Sequence, residues 1–235
     1  MKARKTRELP QNISLTPRND VLNLLPPSYW VGKTVLDVGC GNGATGEEIK
    51  KKGAKKVVGI ELSKTLVKEA EKRMDEVLLC DLDEKTLLFK EKSFDVIICA
   101  DVIEHLKDPE EFLIRCKQYL KKEGKILICI PNVQYYYVLY CLLRGVWEYK
   151  ERGIFDKTHL RFFTRKSIHA LLEKVGLKVL KMERNYRLRE PYCMHENLAK
   201  YLSMYIFRDF LTFQYRIVVT TERKEENGEK RREES

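Results

Sequence analysis

The run Val35-Leu36-Asp37-Val38 passes into Gly39-Cys40-Gly41-Asn42-Gly43, and no other stretch restricts the architecture of the chain so tightly. An apolar strand enters a glycine-dense turn that opens a helix. Glycine lets the backbone take positive φ and lets a ligand approach without interference from a Cβ. In an open α/β sheet such a turn lies at the carboxyl end of a strand, where ligands bind. The chain keeps this alternation from Lys33 to Pro131. Segments 34–38, 56–60, 76–79, 93–100 and 125–130 are short and nearly continuously apolar, as strands covered on both faces are. Segments 45–52, 64–73 and 109–120 read as the helices between them. Asp108 caps the last of these, Pro109 takes its first position, and Glu110 and Glu111 oppose the positive helix end. Alternating strand and helix implies an α/β fold with a Rossmann-like, doubly wound, mostly parallel sheet.

Downstream, Thr164 can cap a helix that puts Ile168, Leu171, Leu172 and Val175 on one face and ends at Gly176. A strand follows at 178–182. The alternating segment 214–221 reads as the last strand, antiparallel, which brings the sheet to seven. Two insertions, 133–155 and 186–213, are expected to cover the acceptor site, the second with a helix at 196–208. The domain is expected to span 18–222. It is preceded by a basic arm, 1–17, and followed by a charged tail, 223–235, too poor in apolar residues to order.

Charge and cysteine usage narrow the function classes. The formal net charge is +10, spread over the arm, the region from Arg144 to Lys166 and elsewhere. That balance suits solubility, and it also admits nucleic acid or an anionic lipid surface as partner. No basic stripe is interleaved with stacking aromatics, so nucleic acid is not favoured. Seven cysteines, an odd number without a C-x-x-C pair, argue against a disulfide framework and a structural zinc site. No apolar run reaches the length of a membrane span. A cytoplasmic, reducing location is expected; the oligomeric state is left open.

The turn also satisfies the dinucleotide pattern through Gly41, Gly43 and Gly46, a weak match when alone. Asp37 counts against that reading, because a carboxylate there faces a pyrophosphate unfavourably and a cationic ligand favourably. The segment Asp37-Val38-Gly39-Cys40-Gly41-Asn42-Gly43 resembles the glycine-rich first motif of class I S-adenosylmethionine-dependent methyltransferases. Later segments keep step with that family. Gly59-Ile60-Glu61-Leu62-Ser63 ends the second strand, where an acidic side chain can accept from both ribose hydroxyls. Cys80-Asp81-Leu82 follows the third strand, at the family's adenine contact. The run from Phe94 to Leu106 resembles its fourth-strand motif, which lines the methionine end of the cofactor. The resemblance implies S-adenosylmethionine as cofactor, held by Asp37, Gly39, Cys40, Gly41, Gly43, Glu61, Leu62, Asp81, Leu82, Ala100 and Asp101.

Asp156-Lys157-Thr158-His159-Leu160-Arg161-Phe162-Phe163-Thr164 is similar to a segment of the ubiquinone-biosynthesis-like small-molecule methyltransferases. The resemblance implies methyl transfer to an oxygen or nitrogen atom of a small-molecule acceptor. A nucleic-acid-modifying methyltransferase is the alternative, and an NAD-dependent oxidoreductase ranks below it. His105 and His159 are the candidate proton acceptors, since imidazole titrates near neutrality. In the resembled group a carboxylate-x-x-Glu-His segment is associated with a divalent metal, and Asp101, Glu104 and His105 match its spacing. Three groups from one short turn make an incomplete shell, so no metal ligand is assigned; His105 can equally be a base or a shaping residue of the turn. Tyr135, Tyr136, Tyr137, Tyr140 and Trp147 read first as core packing and second as a pocket for a planar or lipid-like acceptor. Leu139, Leu142, Leu143 and Trp147, beside basic residues, could also meet a membrane surface peripherally.

Overall fold

The computed structural model describes residues 16–83, 89–189, 192–193 and 207–221. Most of the expected arm, most of the 196–208 helix and the charged tail lie outside the described residues. In chain order the elements are α1 (Asn19–Leu22), β1 (Thr34–Val38), α2 (Ala44–Lys51), β2 (Lys56–Glu61), α3 (Lys64–Ala70), β3 (Glu76–Leu79), β4 (Phe94–Ala100), α4 (Pro109–Tyr119), β5 (Leu120–Pro131), α5 (Tyr136–Leu143), α6 (Arg165–Lys174), β6 (Leu177–Arg189), β7 (Tyr192–Cys193), α7 (Arg208–Leu211) and β8 (Thr212–Thr221). Short 3₁₀ turns lie at Pro27–Trp30 and Ile103–His105.

The sheet runs β3-β2-β1-β4-β5-β8-β6-β7. Strands β3 to β5 pair in parallel, and β8 lies antiparallel between β5 and β6. The Rossmann-like α/β reading and the antiparallel last strand hold. The expected seven strands are joined by an eighth, the two-residue β7. The larger difference is β6, which extends from Leu177 to Arg189 rather than stopping at 182, because β8 offers partners along its length as far as Tyr186. Alternation in 183–189 is too polar to mark a strand in the sequence.

Both faces of the sheet are covered. Leu36, Val38, Ile97 and Cys99 pack with Phe112 and Leu113 of α4 and Ile168 and Leu172 of α6. Val35, Val57, Val96 and Ile98 pack on the other face with Trp30, Ile49 of α2 and Ala70 of α3. The helix starts follow the expected chemistry. Asp108 accepts from Glu111 N at 2.9 Å with Pro109 in the first turn, and Thr164 forms a reciprocal capping box with Ser167.

A third apolar cluster joins Tyr135, Val138 and Cys141 of the first insertion to Ile154, Phe155 and Phe213. The core-packing reading of the aromatic stripe therefore holds for Tyr135, whose hydroxyl donates to the Arg187 carbonyl at 2.9 Å. Tyr136, Tyr137 and Trp147 pack partly against the same cluster, whereas Tyr140 is exposed. No helix among the described residues is long and apolar enough to cross a membrane.

Candidate cofactor and acceptor site

The strand order reverses at β1 and β4, because β2 and β3 follow on one side and β5 on the other. Such a switch point leaves a crevice at the carboxyl ends of the strands. The expected cofactor residues gather on that rim. Asp37 stands beside Gly59 of β2 and Ile98 of β4, and Glu61 ends β2 beside Leu79 of β3.

The glycine turn is built for close approach. Gly39, Gly41 and Gly43 all take positive φ. At Gly43 φ is +79°, and a Cβ would stand 2.9 Å from the Ala70 backbone of α3. Only glycine meets both demands. Cys40 donates its N–H to the Ile60 carbonyl at 3.0 Å and is buried, and its thiol packs where a side chain on Gly59 would stand. Burial, together with Asp37 and Glu61, pushes that thiol well above its ordinary range, so Cys40 is a packing residue and not a nucleophile.

The Glu61 carboxylate ties the rim together. One oxygen accepts from Leu62 N at 2.8 Å and Ser63 N at 2.9 Å, and the other from Gly41 N at 2.9 Å. A carboxylate oxygen has two lone-pair sites, so the Gly41 oxygen keeps capacity for a ligand hydroxyl. Asp37 is buried, and its Oδ2 has no hydrogen-bond partner among the described residues. Burial, with Glu61 nearby, pushes its carboxyl up to about 7. A buried polar atom left unpaired is costly, and a ligand that supplies a donor or a positive charge removes the cost.

Farther along the rim, Asp81 accepts from Asp83 N at 3.0 Å and Leu82 is half-buried against the core. Ala100 is half-buried at the end of β4. Asp101 follows with φ 57°, a strained backbone for a non-glycine residue. Its carboxylate accepts from the Arg18 guanidinium and from the Gln214 amide. Arg18 also pairs with Asp20 at 2.9 Å, and its N–H donates to Thr45 Oγ1 of α2 at 3.2 Å. Burial works against the Arg18 charge, but Asp101 and Asp20 outweigh it and hold the guanidinium protonated. Sequence reading missed Arg18 and Gln214. Arg18 stands just past a generic basic arm, and Gln214 is simply a polar residue on the last strand.

The two candidate histidines meet. His105 and His159 rings lie 4.7 Å apart, although 54 residues separate them. His105 Nδ1 contacts Thr158 Oγ1 at 3.0 Å, and His159 Nδ1 contacts the Ile154 carbonyl at 3.2 Å. The Glu104 carbonyl holds the loop by accepting from Leu160 N at 2.8 Å and Arg161 N at 3.0 Å. Burial, and then His105, lowers the His159 pKa below its ordinary value, so that ring is neutral at pH 7. His169 is exposed on α6, and His195 lies outside the described residues.

Asp101 is engaged by Arg18 and Gln214, whereas Glu104, His105 and His159 bring donor atoms within 4.8 Å of one another. Glu104 is 1% exposed, neither carboxylate oxygen has a partner among the described residues, and His159 Nε2 lies 4.0 Å away. Burial, reinforced by Asp101, raises its carboxyl well above the ordinary range. These donors, imidazole and carboxylate, are of the kind that suits a divalent cation. A shallow recess beside them is lined by Pro131, Val133, Ile154, His159, Arg161 and Phe163. Lys157 pairs with Glu151 at 2.7 Å.

A family model described as a methyltransferase domain matches residues 7–182. The ubiquinone biosynthesis O-methyltransferase of Coxiella burnetii is 30% identical over 156 residues, covering 63% of this chain. The matched region spans 65% of that relative's length. Among solved structures, an S-adenosylmethionine-dependent methyltransferase from Archaeoglobus fulgidus aligns with TM-score 0.60 at 22% identity, covering 82% of this chain and 88% of its own. Magnesium protoporphyrin IX methyltransferase from Synechocystis, with S-adenosylhomocysteine bound, aligns with TM-score 0.59 at 13% identity, covering 87% and 81%. Likeness at these identities concerns the fold. The family match covers most of the chain and removes the nicotinamide alternative. With its glycine turn and carboxylate-ended β2, the chain belongs to the methyltransferase-domain family.

Proposed function

We propose that the chain transfers a methyl group from S-adenosylmethionine to an oxygen or nitrogen atom of a small-molecule acceptor. The observation that carries the reading is the buried Asp37 carboxylate, with an unpaired oxygen, beside a glycine turn that has no room for side chains. That combination asks for a close, positively charged ligand. The O-methyltransferase name of the Coxiella relative supports an oxygen acceptor. The thiols of Cys40, Cys99, Cys116, Cys129 and Cys141, none of them in a disulfide, support a cytoplasmic location.

When bound, the cofactor supplies a methyl group on a sulfonium, open to in-line displacement by an acceptor lone pair. The chain's own residues bind and orient. Glu61 offers an oxygen to the ribose hydroxyls while keeping the turn in place through Gly41 N–H. Asp37 and Asp101 present negative charge to the cationic end, and Arg18 presents the opposite charge to the amino-acid carboxylate. Holding donor and acceptor aligned supplies much of such a rate. His159, neutral at pH 7 and on the wall of the recess, is placed to take the acceptor's proton. His105 fixes the loop that carries it through Thr158.

Incubation with methyl-tritiated cofactor and a panel of catechols, quinols, sugars and amines tests the reading. Label in at least one small acceptor supports it. Label entering only tRNA or an oligonucleotide, or none entering any acceptor, would overturn it.

A further inference from the structure

We propose that Gln214 of β8 is a positioning residue for the amino-acid end of the cofactor, which it serves by holding the Asp101 carboxylate in place. This role rests on the S-adenosylmethionine reading of the site. It adds to that site a residue from the last strand, an element outside the glycine turn and the ends of β2 to β4.

Gln214 is 6% exposed, and its amide donates to one Asp101 oxygen while Arg18 donates to the other. Asp101 needs such support. It follows β4 with a left-handed φ, and its side chain is 40% exposed, so burial alone does not fix the carboxylate. Two donors, one on each oxygen, set its orientation. Each oxygen keeps a second lone-pair site, and an ammonium group has hydrogens to fill both.

The backbone beneath Gln214 is itself held. Gln214 pairs with Pro131 of β5 and Asn185 of β6. The Asn132 side-chain amide donates to the Thr212 carbonyl at 2.8 Å, and the Asn132 N–H donates to the Phe213 carbonyl at 2.9 Å. The amide that reaches Asp101 therefore springs from a central strand and not from a loop, which suits accurate placement of a ligand-binding group. Arg216, two residues on and so on the same sheet face, donates to the Asp20 carbonyl at 3.3 Å. Asp20 in turn pairs with Arg18. Strand β8 thus supports both members of the Arg18–Asp101 pair.

A neutral donor fits the charge of the site. Arg18, Asp20 and Asp101 together keep a formal negative charge, and S-adenosylmethionine, with a sulfonium, an ammonium and a carboxylate, is a net cation. A lysine or arginine in place of Gln214 could make the same bond but would cancel that attraction. Packing alone would be served by an apolar side chain of the same length.

The test compares two ligands by calorimetric titration. S-adenosylhomocysteine carries the amino-acid end, and 5′-methylthioadenosine has the nucleoside without it. Gln214→Met keeps the length and removes the donor. Gln214→Asn, the milder change, leaves the amide too short to reach and serves if the methionine variant does not fold. Each variant should bind S-adenosylhomocysteine about tenfold more weakly and 5′-methylthioadenosine within about twofold of the unaltered chain. In an Asp101→Ala background, Gln214→Met should have no further effect on either ligand. Unchanged affinity for S-adenosylhomocysteine would overturn the proposal, and so would equal loss of both ligands, since Gln214 would then act on the fold in general. Failure of the unaltered chain to bind either ligand would instead remove the cofactor reading, and the role of Gln214 with it.

Discussion

The Arg18 guanidinium is bonded to the Asp101 carboxylate across 83 residues of chain, joining the entry to α1 with the end of β4. The pair lies where the cofactor's charged amino-acid end would sit on the proposed reading, and each partner offers the charge that one of its groups needs. Arg18→Met should therefore weaken S-adenosylhomocysteine binding at least tenfold in a calorimetric titration. The stability cost should be small, about 1 kcal/mol, because Asp101 is partly exposed and solvent screens the pair. Unchanged affinity would remove Arg18 from the site.

Asp37 makes stability depend on pH in a definite direction. Its carboxyl is pushed up to about 7 in the fold, against roughly 3.9 in an unfolded chain. The unfolded state therefore ionises first, and stability is full below about pH 4 and falls as pH rises to about 7. Asp37→Asn should stabilise the ligand-free protein at pH 8 by on the order of 2–4 kcal/mol, with little difference at pH 4. Chemical denaturation at the two pH values measures this. The same variant should lose cofactor affinity, so stability and binding move in opposite directions.

Gly43→Ala tests the turn. The substitution places a Cβ 2.9 Å from the Ala70 backbone and forces a left-handed φ on an L residue. Strain and overpacking together should cost about 2–4 kcal/mol. Gly32, whose φ is also positive but which has open space around it, is the control, and Gly32→Ala should cost about 1–2 kcal/mol from strain alone. Equal losses at the two positions would refute the close-approach account.

Much of this was legible in the sequence for physical reasons. Strands β1, β2 and β4 are buried on both faces, so they print as continuous apolar runs, and the turn between β1 and α2 prints as glycine. Glu61 was visible because it ends a strand at a fixed distance from that turn. The Glu104, His105 and His159 cluster was half visible. His105 and His159 were each marked, but their meeting depends on how the 156–161 loop folds back onto the turn after β4. Spacing groups Asp101 with Glu104 and His105, and its bonds to Arg18 and Gln214 are not legible because both partners are distant in the chain. The far half of β6 was illegible because polar residues such as Glu183, Arg184 and Asn185 pair with β8 through their backbones.

The two histidines should separate kinetically. His159→Gln is expected to lower kcat by about 10²–10³ with little change in the KM for S-adenosylmethionine, as loss of a general base does. In the unaltered protein kcat/KM should rise to its plateau below the ordinary imidazole range, because burial and His105 lower the His159 pKa. That limb should vanish in His159→Gln and persist, with a smaller loss of rate, in His105→Gln. A limb that survives in His159→Gln would assign the proton transfer elsewhere.

The account as a whole depends on the β1 turn and the β2 carboxylate gripping an S-adenosyl nucleoside. Calorimetric titration of S-adenosylhomocysteine into Asp37→Ala/Glu61→Gln addresses that claim directly, with circular dichroism to confirm the fold. Removing one charged acceptor and weakening a second should reduce affinity about 100-fold or more. A folded double variant that binds as tightly as the unaltered chain would contradict the account.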